Sequence, residues 1–173
     1  MTLLQPALVV GRLPGVRHRG ALCAFVVINI AHWVEHLYQA IQIFVFHWPR
    51  PQALGALGLV WPALVKSEWL HYGYALVILA GLLFIRSDFS GNARSWWRVA
   101  IVVQLWHFFE HGLLLAQAQS GVNLFGREVP TSVFQLVFPR VEVHLFYNVV
   151  VTLPIALALV ACCRQSVREL EPA

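Results

Sequence analysis

Charge is what this chain has least of. Of its 173 residues only 12% are Asp, Glu, Lys or Arg, while 59% are hydrophobic. A soluble domain carries roughly twice that share of charge, so the chain reads as an integral membrane protein. Cysteine is scarce as well. Three cysteines, Cys23, Cys162 and Cys163, make no disulfide framework. They fall near the span ends read below as cytoplasmic, where thiols stay reduced. They are expected to be small packing residues, with palmitoylation at Cys162 or Cys163 as the alternative. The first apolar run is too long for the core of a signal peptide and no obvious small-x-small cleavage site follows it, so it is expected to stay in the protein.

What is present is four apolar segments, near Leu22–Phe46, Ala63–Ile85, Arg98–Gln117 and Val141–Cys163. Each meets the roughly 20 residues that a hydrocarbon core of about 30 Å requires. The expected fold is all-α, an integral membrane four-helix bundle. The basic residues orient it. Arg12, Arg17, Arg19, Arg86, Arg94, Arg98, Arg164 and Arg168 fall on one side; Arg50, Lys66, Arg127 and Arg140 fall on the other. The positive-inside rule then places both termini in the cytoplasm, with an inner or plasma membrane as the location. The net charge of +4 is accounted for by these topological arginines and implies no nucleic-acid partner. Trp96 and Trp97 at one boundary, and Trp48, Trp61 and Trp69 at the other, form the aromatic belt.

Inside this apolar background one polar pattern occurs twice. The first span reads Asn29-x-x-His32-x-x-Glu35-His36, the third Gln104-x-x-His107-x-x-Glu110-His111, and every matched position is 75 residues apart. Gln42 and Gln117 keep that offset. The second and fourth spans match less strictly, with His71-x-x-Tyr74 and His144-x-x-Tyr147 offset by 73. The pattern predicts two tandem two-helix repeats, residues 22–86 and 98–163, in one transmembrane domain 22–163. A cytoplasmic segment 1–21 precedes it and a cytoplasmic tail 164–173 follows, both loosely tied. Two spans per repeat imply a parallel repeat, with a pseudo-twofold axis along the membrane normal. The two outer connections are longer than the polar turn around Ser87–Asn92, and either could act as a lid.

Residues three and four apart share a helix face. Six of the eight histidines fall on such faces: His32 and His36, His107 and His111, His71, and His144. His18 and His47 lie outside and read as solvated. Ionisable groups in a span cost several kcal/mol unless paired, hydrated or metal-bound. Hydrogen bonding within a helix bundle is the simplest account of a single such histidine. Six of them, with two mid-span acids, favour a metal site.

Two histidines four apart can chelate one ion, and a carboxylate between them can ligate or bridge. The candidate metal ligands are His32, Glu35, His36, His71, His107, Glu110, His111 and His144. They suit two transition metal ions, one per half, bridged by Glu35 and Glu110. Imidazole and carboxylate ligation favours iron, then zinc. The string His-x-x-Glu-His also occurs in inverzincin peptidases, large soluble enzymes that nothing else here fits.

The expected function is that of a membrane metalloenzyme acting on a lipid-soluble substrate. With iron it would be an oxygen-dependent oxidoreductase drawing on an electron donor. With zinc it would be a hydrolase, with Glu35 or Glu110 as general base. Arg140 could steady an anionic group, and Tyr74 and Tyr147 are candidate catalytic hydroxyls. The alternatives are a b-type haem or quinone-linked electron carrier, with His36 and His111 as axial ligands, and a metal or proton transporter. The apolar stretches Ala75–Leu83 and Val149–Ala161 count against a transporter.

Overall fold

The computed structural model describes residues 16–170, with side chains through Gln165. Arg12, most of the predicted N-terminal segment, the Arg168 side chain and the end of the predicted tail lie outside the described residues. Four long helices dominate: α1 (Arg19–Phe44), α4 (Glu68–Ile85), α5 (Gly91–Ser120) and α6 (Arg140–Leu170). Two short helices, α2 (Gly55–Val60) and α3 (Pro62–Val65), sit in the first long connection, and no strand occurs among the described residues. All four long helices are long and apolar enough to cross a membrane. Helix is the form lipid demands, because it satisfies every backbone polar group within its own segment.

The helix limits follow local chemistry. The predicted second span began too early. Pro62 opens the separate turn α3, and the chain is extended at Ser67 before α4 starts with Glu68 in its first turn. The third span proves longer than predicted. It has 30 residues, a rise of about 45 Å, more than a hydrocarbon core of about 30 Å requires. It stops at Gly121, whose φ of 69° gives the left-handed cap, with its N–H bonded to the Gln117 carbonyl.

In the bundle α5 packs most extensively on α4 and α6, and α1 closes the square against the same two helices. The two helices carrying the polar pattern, α1 and α5, thus stand at opposite corners. Near the short connection the interior is apolar, built from Leu22, Phe25, Leu82, Ile85, Trp97 and Ile155. Ala93, Ala100 and Ala158 are fully buried there and let the helices approach closely. Trp97 donates its indole N–H to the Leu82 carbonyl at 2.8 Å. The outside is the reverse of a soluble surface, with Val27, Val34, Leu76, Val102, Phe109 and Leu153 exposed, as contact with lipid requires. His18, read as solvated, is in fact anchored. Its backbone N–H and its Nδ1 each lie 2.9 Å from an Asp88 carboxylate oxygen, tying the start of α1 to the short connection.

Candidate functional site

The half of the bundle toward the long connections is polar inside. His36, His107, His111 and His144 are buried, and His32 and His71 partly so. Their rings form one continuous network across all four helices. Centroid separations are 4.4 Å for His32–His36, 4.7 Å for His36–His144, 4.6 Å for His107–His111 and 5.2 Å for His111–His144. Longer contacts complete it: His107–His144 at 5.8 Å, His71–His111 at 5.9 Å and His71–His144 at 6.1 Å. His144 is the hub, meeting His36, His71, His107 and His111. Two tyrosines flank the ends, each 4.1 Å from a ring: Tyr74 on His32 and Tyr147 on His107.

Second partners fix several rings. His71 donates Nδ1–H to the Ser67 carbonyl at 3.0 Å, and His144 to the Arg140 carbonyl at 2.7 Å. Both acceptors lie one turn back on the same helix. His36 donates Nδ1–H to the Gln39 side-chain oxygen at 2.7 Å. In each case the proton is held on Nδ1 and the lone pair is left on Nε2, the arrangement that orients a metal-binding imidazole. Gln39 lies three residues after His36 on the same stripe, so its part in orienting the ring was within reach of the spacing rule.

Several buried polar atoms have no hydrogen-bond partner among the described residues: His107 Nδ1, His111 Nδ1, His144 Nε2, the Tyr147 hydroxyl, Asn148 Nδ2 and Ser132 Oγ. Buried polar atoms are normally satisfied, so such a cluster needs an account. The Tyr147 hydroxyl lies beside the Glu110 carboxylate without forming a hydrogen bond of ordinary geometry. His107, His111, Tyr147 and Asn148 also line a small cavity of about 20 Å³ between the helices, on the order of the space one water or one ion fills.

Glu35 and Glu110 both engage the long connections. Glu35 accepts the N–H groups of Ala56 and Leu57 at 3.1 Å, at the start of α2, where the helix dipole favours an anion. Gly55, with φ of 75°, makes room for it; a Cβ there would collide with the Glu35 carboxylate. Glu110 accepts the Phe134 N–H at 3.0 Å. Each carboxylate thus holds the long connection that follows its own helix. The neighbouring glutamines do the same. Gln42 pairs with Gly55, accepting its N–H at 2.8 Å and donating to its carbonyl at 3.5 Å. Gln117 pairs with Thr131 in the same way, at 3.1 and 2.9 Å. Helical spacing reveals which face a residue occupies, not which loop amide will meet it, so these roles were not visible in the sequence.

Tyr74 and Arg140 tie helices together. The Tyr74 hydroxyl donates to the Ile28 carbonyl, a helix-to-helix tie. Arg140 is bound by two hydrogen bonds to Glu68, at 2.6 and 2.7 Å, and joins α6 to α4. A matching pair links Arg50 to Glu142 at 2.9 and 2.6 Å, and this hydrogen bonding raises the Arg50 guanidinium above its ordinary value.

Above the rings lies a cavity of about 920 Å³, open between the two long connections. Its floor includes His36, His71 and His144, and its walls carry Arg50, Lys66, Arg127 and Arg140.

Two imidazoles on one ion, with nitrogens about 2.0–2.1 Å from it, hold their centroids roughly 4.5–5.5 Å apart. The shorter separations in the network fall in that range. Among the described residues no three His, Cys, Asp or Glu side chains are placed to hold one ion together. Compared with protein-family models, curated proteins and solved structures, the chain finds no match.

Proposed function

We propose that the protein is an integral membrane metalloprotein whose six clustered imidazoles hold transition metal, and that it oxidises a lipid-soluble substrate with oxygen. One observation carries this reading. His107, His111 and His144 are mutually adjacent, at 4.6, 5.2 and 5.8 Å, and each keeps a buried ring nitrogen without a partner. A cluster serving only to glue helices would spend those nitrogens on hydrogen bonds. No hydrogen bond joins the six rings to Glu35 or Glu110 among the described residues.

His107, His111 and His144 would hold one ion. His32 and His36, 4.4 Å apart, would hold a second. An all-imidazole set suits iron, zinc or copper, and we favour iron, with zinc second. Iron, when bound, would supply one-electron and oxygen chemistry, which redox-inert zinc would not, and the reaction class then requires an electron donor. The protein's own contribution is to lock ring orientation through Ser67, Arg140 and Gln39. It also keeps the Tyr147 hydroxyl free to hold or pass a proton beside His107. Hydrolysis is disfavoured because the carboxylates assigned as general base are engaged by loop amides. A haem between the helices is disfavoured by the 20 Å³ available there.

The tandem-repeat organisation belongs to the same proposal. The paired roles of Gln42 and Gln117, of Glu35 and Glu110, and of the His32–Tyr74 and His107–Tyr147 contacts support two equivalent halves about an axis along the membrane normal. The arginine distribution supports cytoplasmic termini.

The test is elemental analysis and absorption spectroscopy of protein purified from metal-replete cells. Two transition metal ions per chain, without a Soret band, is the expected result. Protein free of transition metal would leave a hydrogen-bonded bundle with internal water; a Soret band would make it a cytochrome.

A further inference from the structure

The large cavity between the long connections carries a chemistry that the histidine cluster does not explain. All four basic residues of that end of the molecule, Arg50, Lys66, Arg127 and Arg140, line it, against the two acids Glu68 and Glu128. Arg140 is neutralised by Glu68, and Arg50 by Glu142. Lys66 and Arg127 have no ion-pair partner among the described residues and are exposed, as is Glu128, which leaves this lining with one net positive charge. The remaining wall is apolar, with Leu54, Val65, Phe138 and Val141 among its members. A volume of about 920 Å³ lies in the range that takes a drug-sized ligand, far more than a small inorganic anion fills. Unpaired cations at the rim, apolar walls and imidazoles on the floor describe one kind of occupant.

We propose that this cavity binds a single-chain amphiphile with an anionic head, held by Lys66 and Arg127, with its chain lying along the apolar wall toward His36, His71 and His144. This names the substrate class for the metal site proposed above and draws its catalytic meaning from that reading. The binding itself does not depend on it. Lys66 supplies a point charge and Arg127 a planar fork of donors, so a carboxylate or a phosphate head is served equally. The bound chain reaches the floor of the cavity, where the rings fixed by Gln39, Ser67 and Arg140 face it.

The experiment measures binding of radiolabelled decanoate, decanol and acetate to the full chain in nanodiscs of zwitterionic phosphatidylcholine, with metal content assayed on the same preparation. Decanoate should bind at least about tenfold tighter than decanol, and acetate should bind weakly. The double variant Lys66→Gln/Arg127→Gln should bring decanoate to the level of decanol and leave decanol unchanged. Both side chains are exposed, and an unchanged melting temperature verifies that the variant is folded. Equal binding of decanoate and decanol, acetate binding as tightly as decanoate, or an unaffected double variant would each overturn the proposal. Competition by a small fraction of phosphatidylglycerol would make a membrane lipid the occupant and overturn the single-chain assignment. Discrimination in protein that lacks metal would sink the metal reading alone; metal without discrimination would sink this one alone.

Discussion

The imidazole of His144 on α6 stands 4.7 Å from that of His36 on α1. Through this contact the rings of α1 join those of the other three long helices. His144 is 2% exposed, its Nδ1–H is held by the Arg140 carbonyl, and its Nε2 has no partner. It is the side chain on which a shared site depends most.

Replacing it should therefore do more than replacing any other ring. His144→Ala is expected to lower metal retention on the order of 100-fold, and His71→Ala, at the longer separations, by about tenfold, the scale of a supporting interaction. Elemental analysis after dialysis against a weak chelator reads both. Equal retention by the two variants would contradict the hub role of His144.

The carboxylates make the opposite prediction. Because Glu35 and Glu110 hold loop amides, Glu35→Gln and Glu110→Gln should keep full metal content. Each should lose about 1–3 kcal/mol of stability, as expected when a charged acceptor is replaced at a backbone N–H. Metal loss in either variant before any fall in melting temperature would restore the carboxylate-bridged arrangement.

Gln117 is the strongest loop clamp. Its side chain accepts from Leu124 and Thr131 and donates to Leu113 and Thr131, all at 2.8–3.1 Å. Gln117→Ala strands several of these groups in a buried position. It should destabilise the protein by about 2–4 kcal/mol, counting roughly 1 kcal/mol or more for each stranded group. Thermal unfolding in detergent measures the loss, and limited proteolysis should report cleavage between residues 121 and 139.

The tyrosines should separate cleanly. Tyr74→Phe removes a helix-to-helix hydrogen bond and should cost about 1 kcal/mol in stability, with little effect on the spectrum of the bound metal. Tyr147→Phe removes a hydroxyl that has no partner, so stability should hold or rise slightly. A change in the metal spectrum or in turnover is expected there instead. The reverse pattern would exchange the two roles.

Gly55→Ala tests the close approach under Glu35. The residue adopts a left-handed backbone that disfavours a side chain by about 1–2 kcal/mol, and its Cβ would strike the Glu35 carboxylate. The variant should open the connection 45–67 to protease while the four long helices persist by circular dichroism.

What was legible in the sequence and what was not divide along a physical line. Hydrophobic length alone determines that four helices can cross a membrane, since lipid leaves the backbone little other choice. Helical periodicity alone determines that His32 and His36 share a face, as do His107 and His111, because 3.6 residues per turn is a local property. The partners of Glu35, Gln42, Glu110 and Gln117 could not be read that way. Their loop partners are amides 7 to 24 residues further on, and where a loop folds back is settled by packing, not by period. The sequence shows a carboxylate between two histidines; only the folded loop shows which N–H groups it accepts. The cavity lined by Lys66 and Arg127 likewise exists only once both long connections are folded over the bundle. Sequence determined which faces are polar; tertiary structure decided which polar groups meet one another and which were left with a nitrogen to spare.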